Sequence, residues 1–171
     1  MSLKLLPDFY FDTFDKITVD FLKSHNIKFI LTDVDNTLEP YENPKPGLAV
    51  WHWIDELKSN GIRIAIISNN NKERIDLFNE DIKLIAYSKA GKPRRKYIRL
   101  AMKQMGADQV NTLFVGDQIF TDVLGAHLAS IPAVLVPPIK DKTDPFTRFK
   151  RLCEKPIMKK YITLNEKAGQ N

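Results

Sequence analysis

Five short apolar runs, separated from one another by helix-length segments, constrain the fold of this chain more than any other feature. The runs cover residues 28–32, 62–67, 84–87, 112–115 and 133–136. Several are continuously apolar, as in strands of a parallel sheet that is covered on both faces. Helices are predicted between them at 47–60, 71–80, 94–105 and 119–129, and before them at 13–24. The sequence therefore predicts an α/β fold: a single doubly wound, Rossmann-like domain with a mostly parallel five-stranded sheet.

With 171 residues and 43% hydrophobic content, the chain can bury one substantial core. We predict an N-terminal helical segment packed on the core at 1–27, the sheet-bearing core at 28–138 and a basic C-terminal segment at 139–171. No run approaches the roughly 20 apolar residues of a membrane span, and no signal-peptide pattern opens the chain. The single cysteine, Cys153, cannot form an internal disulfide, which fits a reducing cytosol. We expect a cytoplasmic protein.

The first apolar run is followed by Asp33-Val34-Asp35-Asn36-Thr37. In doubly wound sheets, ligands bind beyond the carboxyl ends of the strands, so residues that directly follow a strand are candidates for a binding site. Residues i and i+2 of a strand point to the same side, so both carboxylates are expected to face one point. Two like charges that close need a cation between them, or one must keep its proton. The motif indicates a divalent metal, an acid/base role or both, and an ordinary strand-end turn is the alternative.

Two further strand ends carry polar residues. After the second run, Ser68 and Asn69 offer a hydroxyl and backbone N–H groups at a helix start, which suit a phosphate oxygen; simple helix capping is the alternative. After the third run come Lys89 and Lys92. Either ammonium group could neutralise a phosphate or a carboxylate, and an ordinary surface lysine is the alternative.

The fourth run is followed by Gly116, Asp117 and Asp122, which form a second acidic strand end. The first strand end thus offers two Asp, the second Ser and Asn, the third Lys, and the fourth another two Asp. Phosphoryl transfer needs a nucleophile, an acid for the leaving oxygen and cations for the equatorial oxygens. A hard cation with oxygen ligands, best matched by Mg²⁺, fits this set.

The ordered set resembles the four motifs of the haloacid-dehalogenase superfamily of phosphatases. The matching residues are Asp33-Val34-Asp35-Asn36-Thr37, Ser68 with Asn69, Lys92, and Gly116-Asp117…Asp122. The resemblance implies that Asp33 is the nucleophile and forms an aspartyl-phosphate. It implies that Asp35 protonates the leaving oxygen and then activates water. Related dehalogenases lack a carboxylate at this second position, so Asp35 favours a phosphatase.

The resemblance also implies the binding residues. Mg²⁺ would be held by Asp33, by the backbone carbonyl of Asp35 and by Asp117, with Asp122 in support. Ser68 and Asn69 would bind the phosphate, and Lys92 would balance charge near Asp33. Lys92 is chosen over Lys89 because Lys92-Pro93 precedes a helix, as in the family.

The spacing of the motifs leaves no room for a cap domain. The chain is most similar to the capless subclass IIIA branch, specifically the YqeG-type proteins, which are similar to phosphatidylglycerophosphate phosphatases. An open site suits a large substrate: a protein, a nucleic-acid end or a lipid headgroup. The leading hypothesis is a phosphatase of a large or membrane-presented phosphomonoester such as phosphatidylglycerophosphate. A phosphoprotein or nucleic-acid-end phosphatase is the first alternative, and a non-catalytic receiver-like or assembly module is the second.

The whole net charge of +5 falls in residues 139–171, which carry nine Lys/Arg against four Asp/Glu, whereas residues 1–138 carry seventeen of each. The cluster consists of Arg148, Lys150, Arg151, Lys155, Lys159 and Lys160, interleaved with Phe146, Phe149 and Ile157. Such a segment suits a peripheral contact with an anionic membrane, a nucleic acid or an acidic protein. A solvated terminal helix is the alternative.

Overall fold

The computed structural model describes residues 5–140 and 145–168, and in the last helix the side chains of residues 152–164. In this part of the chain, the sheet strands are Phe9–Tyr10 (β1), Phe29–Thr32 (β2), Arg63–Ile67 (β3), Ile85–Tyr87 (β4), Thr112–Gly116 (β5) and Ala133–Leu135 (β6). The α-helices are Val19–Ser24 (α1), Leu48–Ser59 (α2), Lys72–Asn79 (α3), Lys96–Met105 (α4), Leu124–Leu128 (α5) and Pro145–Ala168 (α6). Short 3₁₀ turns cover Phe14–Lys16 and Gln109–Asn111, and a π-helical turn covers Ile119–Val123.

The order of the strands creates a crevice beside the centre of the sheet. The order is β1-β6-β5-β2-β3-β4, and every neighbouring pair is parallel. From β2 the chain proceeds to β3 and β4, and it later returns to the other side of β2 with β5. This reversal opens a crevice at the carboxyl ends of β2 and β5, where α/β sheets bind ligands. Thr32 is paired with Val115, so Asp33 and Gly116 directly follow paired residues.

Alternate residues of the central strands enter two apolar layers, one on each face of the sheet. Ile30 of β2 belongs to the layer that contains Trp53 of α2 and Phe78 of α3. Leu31, the next residue, belongs to the layer that contains Met102 of α4. Burying a side chain of this size contributes about 1.5–3 kcal/mol, so both layers stabilise the sheet. The predicted Rossmann-like α/β class is confirmed.

The sheet has one strand more than the sequence predicted. β1 pairs with the edge of β6, with Phe9 opposite Val134 and Tyr10 opposite Leu135. The Asp8 N–H donates to the carbonyl of Ala133 at 3.0 Å. A two-residue strand has no periodicity to detect, and its partner lies 125 positions later in the chain. The N-terminal segment therefore contributes to the sheet as well as packing a helix on the core.

The predicted helices are present, but two of them are divided. The segment predicted as a helix at 13–24 forms a 3₁₀ turn and then α1, because Thr18 caps a new helix by accepting the Phe21 N–H at 3.2 Å. The segment predicted at 119–129 forms the π-helical turn and then α5. The bounds of the other predicted helices differ from the observed ones by one or two residues.

The basic C-terminal segment forms α6, which packs on the core through a buried face that includes Ile157. Lys155, Lys159 and Lys160 are exposed on this helix. The side chains of Phe146, Arg148, Phe149, Lys150 and Arg151 lie outside the described residues. No helix in the described part of the chain is long and apolar enough to cross a membrane.

Candidate active site

Three carboxylates from β2 and the segment after β5 meet in the crevice. Asp33 follows β2, and its N–H donates to the carbonyl of Val115 at 3.0 Å, which extends the pairing with β5 to the site. Asp117 follows β5, and Asp122 lies in the π-helical turn after it. One oxygen from each of the three carboxylates lies within 4.8 Å of the others, and all three residues are buried. The structure therefore brings together both predicted acidic strand ends.

Lys92 supplies the positive charge inside this cluster. Its Nζ lies 3.0 Å from Asp33 and 2.8 Å from Asp122, and its side chain is 1% exposed. Burial alone would lower the pKa of Lys92, but the charges of Asp122 and Asp33 outweigh burial and raise the pKa above its usual value. The ammonium form therefore persists in the site. Lys89, the other candidate lysine, is exposed.

Asn69 holds the backbone of Lys92 in place. Its Oδ1 accepts the Lys92 N–H at 2.7 Å, and its Nδ2 donates to the Lys92 carbonyl at 3.2 Å. Ser68 is buried, and its Oγ accepts the Asn70 N–H at 3.1 Å. The cap of α3 is Asn71, which accepts the Arg74 N–H at 2.9 Å, so Ser68 is not the helix cap. A phosphate contact from Ser68 or Asn69 stays a prediction.

Gly116 is required by the close approach of Asp122. A Cβ at position 116 would lie 2.4–2.5 Å from the side-chain atoms of Asp122, closer than any non-bonded contact tolerates. Asp122 Oδ2 in turn accepts the Gln118 N–H at 3.0 Å. Burial and the charge of Asp33 raise the pKa of Asp122, partly opposed by Lys92. The cluster thus holds three carboxyl groups against the one ammonium group of Lys92.

Asp35 is held by a different set of side chains. β2 ends at Thr32, so the strand geometry that predicted a shared direction for Asp33 and Asp35 does not extend to Asp35. Its Oδ2 accepts from Asn70 Nδ2 at 2.7 Å, and its Oδ1 lies 3.1 Å from Nε and from a terminal nitrogen of Arg74. The two carboxylates of the first motif thus have separate partners.

Arg74 is fixed in turn by contacts on both sides. Its other terminal nitrogen donates to the carbonyl of Pro44 at 2.8 Å, and its guanidinium lies over the ring of Phe78, 5.5 Å from the centroid. Sequence reasoning missed both Asn70 and Arg74. One signal was available for Arg74: a cation in the first turn of a helix opposes the helix dipole and usually has a specific partner.

A family model of haloacid dehalogenase-like hydrolases matches residues 8–130 of the chain. The chain belongs to this family of hydrolases. It is 36% identical over 153 residues to the probable phosphatase YqeG of Bacillus subtilis (strain 168), an alignment that covers 90% of this chain and 89% of that protein. The predicted resemblance to the superfamily and to its YqeG-type branch is confirmed.

Two other proteins extend the comparison. A glyceraldehyde 3-phosphate phosphatase of Methanothermobacter thermautotrophicus is 27% identical over 129 residues, which cover 70% of this chain and 52% of that protein. The cobalt-bound deoxy-D-mannose-octulosonate 8-phosphate phosphatase of Haemophilus influenzae shares the fold, with a TM-score of 0.53 and 21% identity over 66% of this chain and 69% of that one. Together with the family match, the relatives confirm the predicted class of enzyme, a phosphomonoester hydrolase.

Proposed function

We propose that the chain is a Mg²⁺-dependent phosphatase that works through an aspartyl-phosphate on Asp33. We further propose that its substrate is a large or membrane-presented phosphomonoester such as phosphatidylglycerophosphate. The observation that carries the chemistry is the buried cluster of Asp33, Asp117 and Asp122, in which the ammonium group of Lys92 pairs with Asp33 and Asp122. The proposed nucleophile, a fixed cation and oxygen atoms of the kind that a metal prefers thus lie close together.

The donor set fits a hard divalent cation. Three buried carboxylates supply oxygen ligands, which Mg²⁺ prefers, and one lysine leaves the cluster negative. Asp33 and Asp117 would hold the ion, with the backbone carbonyl of Asp35, and Asp122 would support it. When bound, the ion would neutralise charge on the phosphoryl oxygens. Chelation should abolish activity and added Mg²⁺ should restore it.

The residues of the chain divide the two chemical steps between them. An oxygen of Asp33 attacks phosphorus, forms the aspartyl-phosphate and displaces the ester oxygen, which takes a proton from Asp35. Asp35 then takes a proton from water as that water attacks phosphorus. The second attack releases inorganic phosphate and restores the Asp33 carboxylate. The contacts of Asp35 with Asn70 and Arg74 support this role because they orient a carboxyl group at the site.

The surroundings of the site support a large substrate. Between residues 28 and 138, all of which are described, no cap domain is inserted: α2 alone separates β2 from β3, and α3 alone separates β3 from β4. Tyr41 and Leu48, in the segment after Asp35, are 50% and 77% exposed. A site without a cap domain, followed in the chain by exposed apolar side chains, suits a substrate that presents its own apolar surface.

A second basic region also supports an anionic substrate surface. Residues 82–107 contain eight Lys/Arg and no Asp or Glu. The net charge of residues 1–138 is zero, so this local excess of positive charge does not show in the total. Together with Pro93, Leu100 and Leu128, five of these cations line a groove of about 710 Å³. They are Arg94, Arg95, Lys96, Arg99 and Lys103. A concave basic groove also suits an acidic protein or a nucleic-acid strand, so a phosphoprotein or nucleic-acid end stays the second candidate substrate.

The test is a comparison of kcat/KM across four phosphomonoesters, with the Asp33→Asn variant as the blank for contaminating phosphatase. The substrates are phosphatidylglycerophosphate in micelles and in anionic vesicles, a phosphopeptide, a 5′-phosphorylated oligonucleotide and a sugar phosphate. The lipid in vesicles is expected to be hydrolysed best. A faster reaction with the sugar phosphate would contradict a large substrate, and preference for the peptide or the oligonucleotide would move the second candidate ahead.

A further inference from the structure

The C-terminal helix α6 buries a carboxylate where an apolar side chain would be expected. Glu154 is 5% exposed, and Ile157, one turn later on the same face, is 3% exposed. Ile157 belongs to the apolar layer that also contains Ile119 and Val123. A carboxylate in such surroundings costs several kcal/mol unless a hydrogen bond compensates it. The presence of Glu154 therefore calls for a specific partner.

That partner is the backbone immediately after Asp117. Oε1 of Glu154 accepts the Ile119 N–H at 2.8 Å. Ile119 is the first residue of the π-helical turn, and N–H groups at the start of a helical turn lack partners within it. Gln118, the residue before the turn, makes no side-chain cap there. Glu154 thus caps this turn from a different helix.

A second carboxylate holds the neighbouring N–H. Asp122 Oδ2 accepts the Gln118 N–H, so two consecutive N–H groups after Asp117 are fixed by two different carboxylates. Asp122 is itself in the acidic cluster, whereas Glu154 lies outside it. Since Asp117 directly precedes residues 118–119, a displaced turn would shift the backbone beside one predicted metal ligand.

We infer that Glu154 is a positioning residue for the metal site: its bond to the Ile119 N–H sets the backbone that directs the Asp117 carboxylate. The C-terminal segment is then part of the active-site architecture as well as a basic surface. The inference rests on the metal binding proposed above. Hydrogen-bonding partners just outside a metal's ligands typically change metal affinity by about 10–100-fold when they are removed.

The test measures metal binding directly, with Mn²⁺ alone as the probe and electron paramagnetic resonance as the readout. Glu154→Leu keeps an apolar contact but loses the acceptor, and is expected to bind Mn²⁺ about 10–100-fold more weakly than wild type. Glu154→Gln keeps a carbonyl acceptor for the Ile119 N–H and is expected to stay within about threefold of wild type, since the bond and not the charge is what matters.

Two controls separate positioning from packing. Ile157→Ala removes apolar contact from the same helix face and is expected to lower the melting temperature with little change in Mn²⁺ affinity. Leu152→Gln, at an exposed position of the same helix, is expected to change neither quantity. For Glu154→Leu, the Mg²⁺ concentration at half-maximal activity should rise in parallel with the Mn²⁺ dissociation constant.

Three outcomes would overturn the inference. Wild-type Mn²⁺ affinity in Glu154→Leu would show that the bond does not position Asp117. An equal loss of Mn²⁺ affinity in Glu154→Gln would assign the effect to charge. An equal loss in Ile157→Ala would assign it to packing. Absence of Mn²⁺ binding by the wild-type protein would remove the proposed metal dependence as well, which distinguishes failure of the proposed function from failure of this inference alone.

Discussion

The active site has two halves that are built in different ways. The inner half, consisting of Asp33, Lys92, Asp117 and Asp122, is a buried cluster of three carboxylates in which Lys92 pairs with Asp33 and Asp122. The outer half, consisting of Asp35, Asn70 and Arg74, joins a loop residue to side chains before and within α3. In the proposed mechanism, the inner half supplies the nucleophile and the metal ligands, and the outer half orients the acid/base. The difference suggests that the inner half determines whether the reaction occurs, and the outer half how fast it occurs.

Asp33→Asn should give the largest effect, a loss of roughly 10⁴-fold or more in kcat, because no covalent intermediate can form. The substitution is nearly isosteric, so the melting temperature should stay within a few degrees of wild type. Mass spectrometry of the trapped phosphoenzyme should place the phosphoryl group on Asp33. A phosphoryl group on any other residue would contradict the assignment of the nucleophile.

Lys92→Met should damage folding as well as activity. It leaves Asp33 and Asp122 without their buried counter-charge, and breaking such a pair costs about 3–5 kcal/mol. Denaturant unfolding should show this loss, and added Mg²⁺ should recover part of it if the ion binds the same carboxylates. Lys89→Met, at the exposed position, is the matched control and should leave stability nearly unchanged. Equal stability of both variants would refute the structural role of Lys92.

Asp35→Asn tests the outer half directly, with an expected loss of about 10²–10⁴-fold for alkyl phosphates. In single-turnover experiments, aryl phosphates with good leaving groups should lose less in the phosphorylation step because they need no proton. If both classes of ester slow equally, Asp35 does not protonate the leaving group.

Arg74→Gln should cost less, at most about 10²-fold in kcat, because Asn70 still contacts Asp35. Arg74→Lys should recover only part of this loss, since an ammonium group cannot reproduce the planar contact of the guanidinium. The double variant with Asp35→Asn is the decisive measurement. If Arg74 acts only through Asp35, its substitution should have little further effect once Asp35 has been changed.

The smallest effect on chemistry is expected from the exposed cations of α6, which lie in neither half. Changing Lys155, Lys159 and Lys160 to Gln should leave turnover of a small soluble ester within about twofold. Binding to anionic vesicles, measured by co-sedimentation, should weaken by roughly 1 kcal/mol for each lysine near the surface. This loss should be larger at low salt, where the charges are screened less. The matched variant changes Arg95, directly before α4, and Arg99 and Lys103 of α4 to Gln, and it tests the second basic region in the same way. No sedimentation by wild type at low salt would remove the main support for a membrane-presented substrate.

Two residues of the inner half, Asp33 and Asp117, could be predicted from the sequence because each follows a recognisable strand, and parallel strands bring their carboxyl ends together. Lys92 was preferred to Lys89 only by resemblance to the family. Asp33 and Asp117 required no more than the positions of β2 and β5. The outer half depends on side-chain reach across a loop: Arg74 contacts a carboxylate 39 positions earlier. No periodicity or spacing encodes such a contact. Glu154 was missed for the same reason, since its partner, a backbone N–H, has no identity in the sequence.

The pairing of β1 with β6 has a consequence for the order in which the protein is made. The residues that form β1 are synthesised well before their partner, which follows 125 positions later. Contacts between such distant positions form late, because a long loop must close before they are gained. The edge of the sheet that carries the first strand is therefore the last to be completed. Until β6 has been made, Phe9, Tyr10 and Phe11 have no strand to pair with, and a growing chain carries an aromatic segment that chaperones can bind.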